Sequence, residues 1–158
     1  MNRPDSSSGT ARATRAARDP LEFAAHTLAA GSAGGAPLAV EPLSFWGGYD
    51  AETGRVIDHS HPALGRYLVA KVLVMPNGRG SSSSSSVLAE AIRLATAPAA
   101  IVLAEPDPIL ATGAIVAQAL YRRSCPIIVL APEDHAIVAS ASAAEVRVDG
   151  TEAWVVVP

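Results

Sequence analysis

Apolar and polar positions divide the middle of the chain into short apolar runs separated by amphipathic stretches. The runs within residues 67–75, 99–104 and 126–130 are almost continuously apolar, as expected for strands that are covered on both faces of a sheet. Between them, residues 87–97 and 109–122 show helical spacing of apolar residues. This alternation predicts an α/β fold with a central parallel sheet and crossover helices.

The two ends of this central region are richer in strand signals. Strands are predicted at residues 38–46, 55–57, 146–148 and 154–157, the last two around an Asp149-Gly150 turn that is typical of a hairpin. A short helix is predicted at residues 132–138. These extra strands predict additional β layers that close the sheet toward a barrel.

Residues 1–37 differ from the rest, because they are rich in Ser, Ala, Arg and Gly. A weak helix at residues 12–28 would be cut off by the glycines that follow, so the pattern predicts a mostly disordered extension and a domain over residues 38–158. A functional arm is the alternative. The arginines of this segment are not followed by a continuous apolar stretch, so no signal peptide is expected.

Composition narrows the functional classes. The 158 residues carry a net charge of −3, which gives no footprint for nucleic acid. No apolar run approaches the roughly 20 residues that a membrane helix needs, and a cytoplasmic protein is the default expectation. Only 17% of residues are charged, which indicates either extensive buried surface, including a partner interface, or an alanine-rich compositional bias.

A single cysteine limits the metal and redox chemistry that this chain can supply. Cys125 cannot form an intramolecular disulfide, and one thiolate does not make an iron–sulfur or cysteine-type zinc site. Its place before an apolar run predicts a small core residue.

The most informative stretch is LVMPNGRGSSSSSS, residues 73–86. Six serines usually indicate a flexible linker, but here they lie between a strand signal and a helix signal. The position predicts a βα turn with serines at the helix N-cap and in its first turn. Glycine lets the backbone approach a ligand, and a helix N-terminus attracts anions. The turn is therefore either an anion-binding or active-site turn, or a plain capped connection.

Two further features each have a structural and a functional interpretation. His59 and His61 lie in a loop with no other metal ligand nearby in sequence, which favours solvated or substrate-facing histidines over a metal site. Asp107 precedes Pro108 at a predicted helix start, where an N-cap is the expected role.

Three segments carry a resemblance to a known family. EPLSFWGGYDAETGRVIDHSHPALG (residues 41–65), PNGRGSSSSSSVLAEAI (76–92) and TAPAAIVLAEPDPILATGAIVA (96–117) resemble the small subunit, or swivel domain, of aconitase X enzymes. The match extends over residues 38–130. The resemblance implies a swivelling β/β/α fold, consistent with the element order above.

The resemblance also implies a partner and an activity. Family members pair with, or are fused to, a large catalytic subunit whose cysteines hold an iron–sulfur cluster, and the active site lies between the two. They dehydrate hydroxy acids: cis-3-hydroxy-L-proline to Δ1-pyrroline-2-carboxylate in bacteria, and mevalonate 5-phosphate in archaea. The alanine-rich, lysine-poor composition suggests a bacterial chain and favours hydroxyproline.

In the wider superfamily, a serine that follows a glycine in this turn acts as the base. Carried over to this sequence, the resemblance implies a catalytic Ser81, with Ser82 as the alternative, and substrate binding by Arg79, Gly80 and Ser82. The superfamily arginine two residues after the serine is absent, because Ser83 stands there. Substrate carboxylate recognition therefore falls to Arg79 or to the large subunit.

His61 is a further candidate for lining this site. Dehydration needs a base for the proton next to the carboxylate and a Lewis acid for the departing hydroxyl, which iron can provide. Two other classes remain open at this stage. One is a binding module that holds a phosphate or carboxylate without chemistry, and the other is a structural or regulatory partner without activity.

Overall fold

The computed structural model describes residues 19–158. Its elements, in chain order, are β1 (Leu21–Ala29), β2 (Ala33–Gly35), β3 (Pro37–Ala39), α1 (Phe45–Gly48), β4 (Tyr49–Asp50), β5 (Arg55–Val56), β6 (Val72–Val74), α2 (Ser84–Leu94), β7 (Ala100–Leu103), α3 (Pro108–Tyr121), β8 (Ile127–Val129), α4 (Pro132–Ala139), β9 (Ala144–Asp149) and β10 (Glu152–Val157).

Eight strands form one sheet in the order β2-β9-β10-β1-β8-β7-β6-β3. Strands β3, β6, β7 and β8 pair in parallel, while β1, β2, β9 and β10 add antiparallel pairs. The two outermost strands, β2 and β3, are separated in the chain by Ala36 alone, whose carbonyl accepts the Val72 N–H. The sheet therefore curls until its edges meet, and the predicted α/β fold with a barrel-like closure is confirmed.

Alternate residues of the central strands face two different cores. Val72 and Val74 belong to an aliphatic cluster inside the curled sheet, whereas Leu73 and Met75 belong to the cluster beneath the helices. Both faces are buried, which explains why these strands read as continuously apolar runs. The result is a three-layer β/β/α arrangement with α2 and α3 packed on one side, where Gly113 lies against the backbone of Ser85.

The predicted domain start at residue 38 is wrong for the described part of the chain. Leu21–Ala29 is the longest strand and lies in the middle of the sheet, between β10 and β8. Its small residues have weak intrinsic strand preference, and pairing on both sides stabilises the strand instead. The same segment overlaps the predicted weak helix. The predictions for residues 1–18 lie outside the described residues.

Two predicted strands are shorter than expected. Residues 67–75 give only Val72–Val74, because Ala70 has a positive φ of 58° and turns the chain just before β6. Residues 38–46 give only the end of β3, and Phe45–Gly48 is a helical turn kinked at Gly47, which has a φ of 74°. The Asp149-Gly150 hairpin, the short helix α4 and the buried Cys125 are confirmed.

No helix within residues 19–158 is long and apolar enough to cross a membrane.

Candidate active site at the serine turn

Two turns leave the same edge of the sheet, since β6 and β7 are parallel neighbours. The serine turn, residues 76–83, connects β6 to α2, and the cap turn, residues 104–107, connects β7 to α3. The Pro76 carbonyl accepts the N–H groups of Ala104 and Glu105 at 2.9 and 3.0 Å, which binds one turn to the other.

A pocket of about 180 Å³ lies between the two turns. We call it the serine pocket. It is lined by Leu43, Gly78, Arg79, Gly80, Ser81, Ser84, Asp107, Ile109 and Leu110. Its position at the carboxyl ends of parallel strands is where ligands bind in both open and closed parallel α/β sheets.

Close packing requires glycine at two positions of the serine turn. Gly80 has a φ of 93°, and a Cβ there would collide with the Ser44 side chain. A Cβ at Gly78 would collide with the Asp107 carboxylate and crowd Leu110. The backbone of the turn therefore reaches the pocket wall without side chains in between, as predicted for a turn that approaches a ligand.

Ser81 lies two residues before Ser83, the N-cap of α2. Its hydroxyl oxygen accepts the Ser83 N–H at 3.1 Å, and its carbonyl accepts the Ser84 N–H at 3.0 Å. The prediction of serines at the N-cap and in the first turn is confirmed, although α2 begins at Ser84 rather than at residue 87. Ser81 is half-buried and lines the pocket, whereas Ser82 is exposed and does not.

The backbone before α2 offers unused donors. Within residues 19–158, the N–H groups of Gly80, Ser81 and Ser82 have no hydrogen-bond acceptor. They lie beside the positive end of the α2 dipole. This region of the pocket therefore favours a negative charge, either on a ligand or on the Ser81 oxygen.

Arg79 stands at the edge of the pocket with its side chain 50% exposed. Its Nη2 contacts the Asp58 Oδ2 at 2.6 Å. Hydrogen bonds from the hydroxyl and N–H of Ser60, together with Arg79, hold the pKa of the Asp58 carboxyl below its ordinary value. Arg79 is thus a fixed cation beside Ser81.

Ser84 and Asp107 are pocket residues that the sequence did not single out as site residues. Ser84 is 3% exposed and accepts the Trp46 N–H at 3.0 Å, which holds the α1 turn against α2. Asp107 has the predicted capping role, accepting from Ile109 N and Leu110 N at 2.9 and 3.0 Å, but it also lines the pocket. The sequence signal that could have indicated this is its position directly after β7. Neighbouring parallel strands end at the same edge of a sheet, so the turns after β6 and β7 lie side by side.

His61 does not line the serine pocket. It is 5% exposed, its Nδ1 accepts the Ala63 N–H at 3.0 Å, and its Nε2 lies 3.1 Å from the Glu41 carbonyl. Both ring nitrogens therefore contact the loop backbone, and the expectation of a solvated His61 is wrong, while its role in lining a site shared with a partner stays a prediction. The prediction failed because the sequence of a short loop does not indicate whether its histidine side chains point into the protein or out to solvent.

The described residues do not fit an iron–sulfur cluster. Cys125 is buried, its thiol donates to the Pro98 carbonyl, and burial raises its pKa to about 12, which disfavours the thiolate that a metal needs. Residues 19–158 hold no group of three or more His, Cys, Asp or Glu that could bind a metal ion.

The fold and the turn define a class of protein. The chain is a β/β/α domain that presents a Gly-Ser turn at a helix start, and residues 22–157 match the aconitase X swivel domain. The chain belongs to that family. The match begins inside β1, in agreement with the ordered strand found there.

Several known proteins share this domain. A cis-3-hydroxy-L-proline dehydratase of Pseudomonas aeruginosa is 57% identical over 102 residues, which are 64% of this chain and 18% of that protein. A phosphomevalonate dehydratase small subunit of Methanothermobacter thermautotrophicus is 51% identical over 80 residues, 51% of this chain and 61% of that subunit. The chain thus spans less than a fifth of the first relative and under two thirds of the second.

A solved structure has the same fold. The aconitase X of Thermococcus kodakaraensis, in its holo form, superposes with a TM-score of 0.68 at 30% identity. The superposition covers 85% of this chain and 98% of the matched chain. The swivelling β/β/α prediction is therefore confirmed.

Proposed function

We propose that this chain is the swivel-domain component of an aconitase X-type hydro-lyase that dehydrates a hydroxy acid. The substrate we propose is cis-3-hydroxy-L-proline, which would give Δ1-pyrroline-2-carboxylate. The observation that carries the proposal is the placement of the Ser81 hydroxyl in a pocket where its oxygen accepts the Ser83 N–H. The 57% identity to a hydroxyproline dehydratase supports the choice of substrate.

Ser81 is the proposed base. An alkoxide at this position would receive the Ser83 N–H bond and the favourable field of the α2 N-terminus, which lower the free energy of forming it. It would accept the proton on the carbon next to the substrate carboxylate. Ser81 rather than Ser82 takes this role, because only Ser81 lines the pocket.

Three neighbours of Ser81 would bind the substrate. Arg79 contributes a cation suited to a carboxylate, and Gly80 lets the ligand approach the backbone. Ser82, which is exposed and outside the serine pocket, would contact the substrate in the cleft shared with the large subunit. The unused N–H groups before α2 add donors for the same anion.

The proposed partner is a large aconitase X subunit that holds the iron–sulfur cluster. Helix α3 supports a partner surface, because it carries no charged residue and exposes Ile115, Val116 and Leu120, the last at 66%. An exposed apolar helix face of this kind is typical of a protein–protein contact. The cytoplasmic location expected from the sequence stays a prediction.

A second candidate is mevalonate 5-phosphate dehydration. It is favoured by the 51% identity to a phosphomevalonate dehydratase small subunit, a relative that is itself a small chain. The pocket geometry of this half of the site is compatible with a carboxylate in either substrate. The substrate assay below decides between them.

Co-expression with a large aconitase X subunit from the same genome tests the proposal. We expect a stable complex that contains iron and consumes cis-3-hydroxy-L-proline, while neither chain is active alone. Activity only on mevalonate 5-phosphate would select the second candidate. An iron-containing complex that is inactive on both would favour a non-catalytic binding or regulatory module and overturn the proposal.

The partner surface has its own variant pair. Leu120→Asp places a charge on the exposed apolar face of α3, and we expect the complex to bind at least about tenfold more weakly, because burying an unpaired charge in an apolar contact costs more than the roughly 1.4 kcal/mol that a tenfold change represents. Gln118→Asp adds the same charge to an exposed polar position of the helix and serves as the control. Equal binding by both variants would place the partner elsewhere.

A further inference from the structure

Asp58 and Arg79 form the ion pair nearest to the serine pocket. Arg79 is half-exposed, while the Asp58 side chain is only 19% exposed. One guanidinium nitrogen, Nη2, makes the contact. The other donors of the guanidinium have no partner within residues 19–158.

The Asp58 carboxylate is itself held from several sides. Its Oδ1 accepts the Ser60 N–H at 2.8 Å and the Ser60 hydroxyl at 2.7 Å, and its Oδ2 takes Arg79. Its side chain also packs against Gly48, where a Cβ would lie 3.4 Å from the Asp58 Cβ. The position of Asp58 is therefore set by the loop around it and not by Arg79.

The two-stranded β4–β5 sheet delivers this loop to the pocket. Tyr49 pairs with Val56, and the Ile57 N–H donates to the Gly48 carbonyl at 2.9 Å. Asp58 follows directly. The small sheet thus carries a carboxylate from outside the serine turn to the edge of the serine pocket.

We propose that Asp58 is a positioning residue that fixes the Arg79 guanidinium at the mouth of the serine pocket, so that its remaining N–H groups bind the substrate carboxylate. The inference rests on the proposed function and names a residue for which that function gave no role.

Two opposing effects decide the sign of the expected result. Asp58 restricts a flexible arginine side chain, which lowers the entropy lost when substrate binds. Its negative charge also repels a substrate carboxylate. The charge is already compensated by Arg79 and by two hydrogen bonds from Ser60, so the restriction of Arg79 is the larger effect.

The chain contains a matched control for Asp58. Asp50 likewise accepts a backbone N–H two residues later, from Glu52 at 3.0 Å, and a hydroxyl, from Thr53 at 2.6 Å. Arg55 lies across from Asp50 in the β4–β5 sheet, but the two side chains form no ion pair, and Asp50 forms none with any other arginine among the described residues. Asp50→Asn therefore reproduces the change in a turn aspartate without the loss of an arginine anchor.

The test compares Asp58→Asn with Asp50→Asn in the assembled enzyme. We expect Asp58→Asn to raise KM roughly five- to tenfold with kcat within about twofold of wild type, because ground-state carboxylate binding is weakened. Asp50→Asn should leave both values unchanged. In an Arg79→Ala background, Asp58→Asn should add less than about a twofold effect, since both changes remove one interaction.

A second measurement does not depend on activity. In the isolated full chain, nitrogen-15 NMR of the Arg79 guanidinium should show restricted rotation that Asp58→Asn releases and Asp50→Asn does not. Free rotation in the wild-type chain would overturn the inference. So would an unchanged or lowered KM for Asp58→Asn in an active complex. Restricted rotation together with an inactive wild-type complex would instead count against the proposed function alone.

Discussion

The serine turn and the cap turn begin at the same sheet edge, and each leads into a helix, but they treat the helix start differently. In the cap turn, the Asp107 carboxylate accepts the first N–H groups of α3. In the serine turn, the Ser81 hydroxyl accepts only the Ser83 N–H, and the N–H groups of Gly80, Ser81 and Ser82 have no acceptor within the described residues.

This difference separates a structural turn from a candidate site. A charged side chain that belongs to the turn satisfies the helix donors and stabilises the fold. A small neutral hydroxyl leaves the donors and the dipole field available to a ligand or to an oxyanion. Gly78 lies against Asp107, so the cap turn also forms the far wall of the serine pocket.

The largest expected effect comes from removing the Ser81 hydroxyl of the serine turn. Ser81→Ala in the complex should lower kcat by roughly 10²- to 10⁴-fold, the usual contribution of a general base. Ser86→Ala, an exposed serine of the same run that does not line the pocket, is the control. Turnover is measured with the preferred hydroxy acid. Normal turnover by Ser81→Ala would rule out the proposed base.

An intermediate effect, on the stability of the chain, is expected at the cap turn. Asp107→Ala removes the acceptor for two backbone N–H groups and should lower the free energy of unfolding by about 1–2 kcal/mol. Urea denaturation of the isolated chain measures it, and Asp107→Asn, which keeps an acceptor oxygen, should lose less. If Ser81→Ala destabilises the chain more than Asp107→Ala does, the contrast between the two turns is wrong.

The smallest effect comes from adding a charged acceptor to the serine turn. Ser81→Asp should stabilise the isolated chain by about 0.3–1 kcal/mol, because a carboxylate there lies beside the N–H groups of residues 80–82, which are unpaired within residues 19–158, as well as the positive end of the α2 dipole. Ser86→Asp puts the same charge in the first turn of α2, where it interacts with the dipole but not with those N–H groups, and should gain less. No gain at Ser81 would show that the N–H groups of the serine turn already have acceptors, which contradicts the proposed difference between the serine turn and the cap turn.

The central elements were predictable because their signals are local. The apolar runs at β6, β7 and β8, the Asp107-Pro108 helix start and the Asp149-Gly150 hairpin each depend on residues close together in the chain. Strand β1 was missed for the opposite reason. Its residues 21–29 acquire strand structure from β8 and β10, which lie about 100 residues or more further along.

The candidate site divides in the same way. Arg79, Gly80 and Ser81 were expected together, since they are neighbours in one turn, and all three line the pocket. Ser84 lies within a uniform serine run, and its burial and its contact with Trp46 distinguish it only in the folded structure. His61 was misjudged, because nothing in its loop sequence indicates that both ring nitrogens bind backbone groups.

The amino-acid sequence by itself determined the α/β class, the serine turn at a helix start and the resemblance to the aconitase X family, because each depends on short-range pattern. Only the tertiary structure decided that the two sheet edges meet at Ala36, that Asp107 faces the serine turn and that Asp58 holds Arg79. The contacts of Asp58 with Arg79 and of Asp107 with Gly78 join residues 21 or more positions apart, and the packing of strands and loops, not local preference, brings them together.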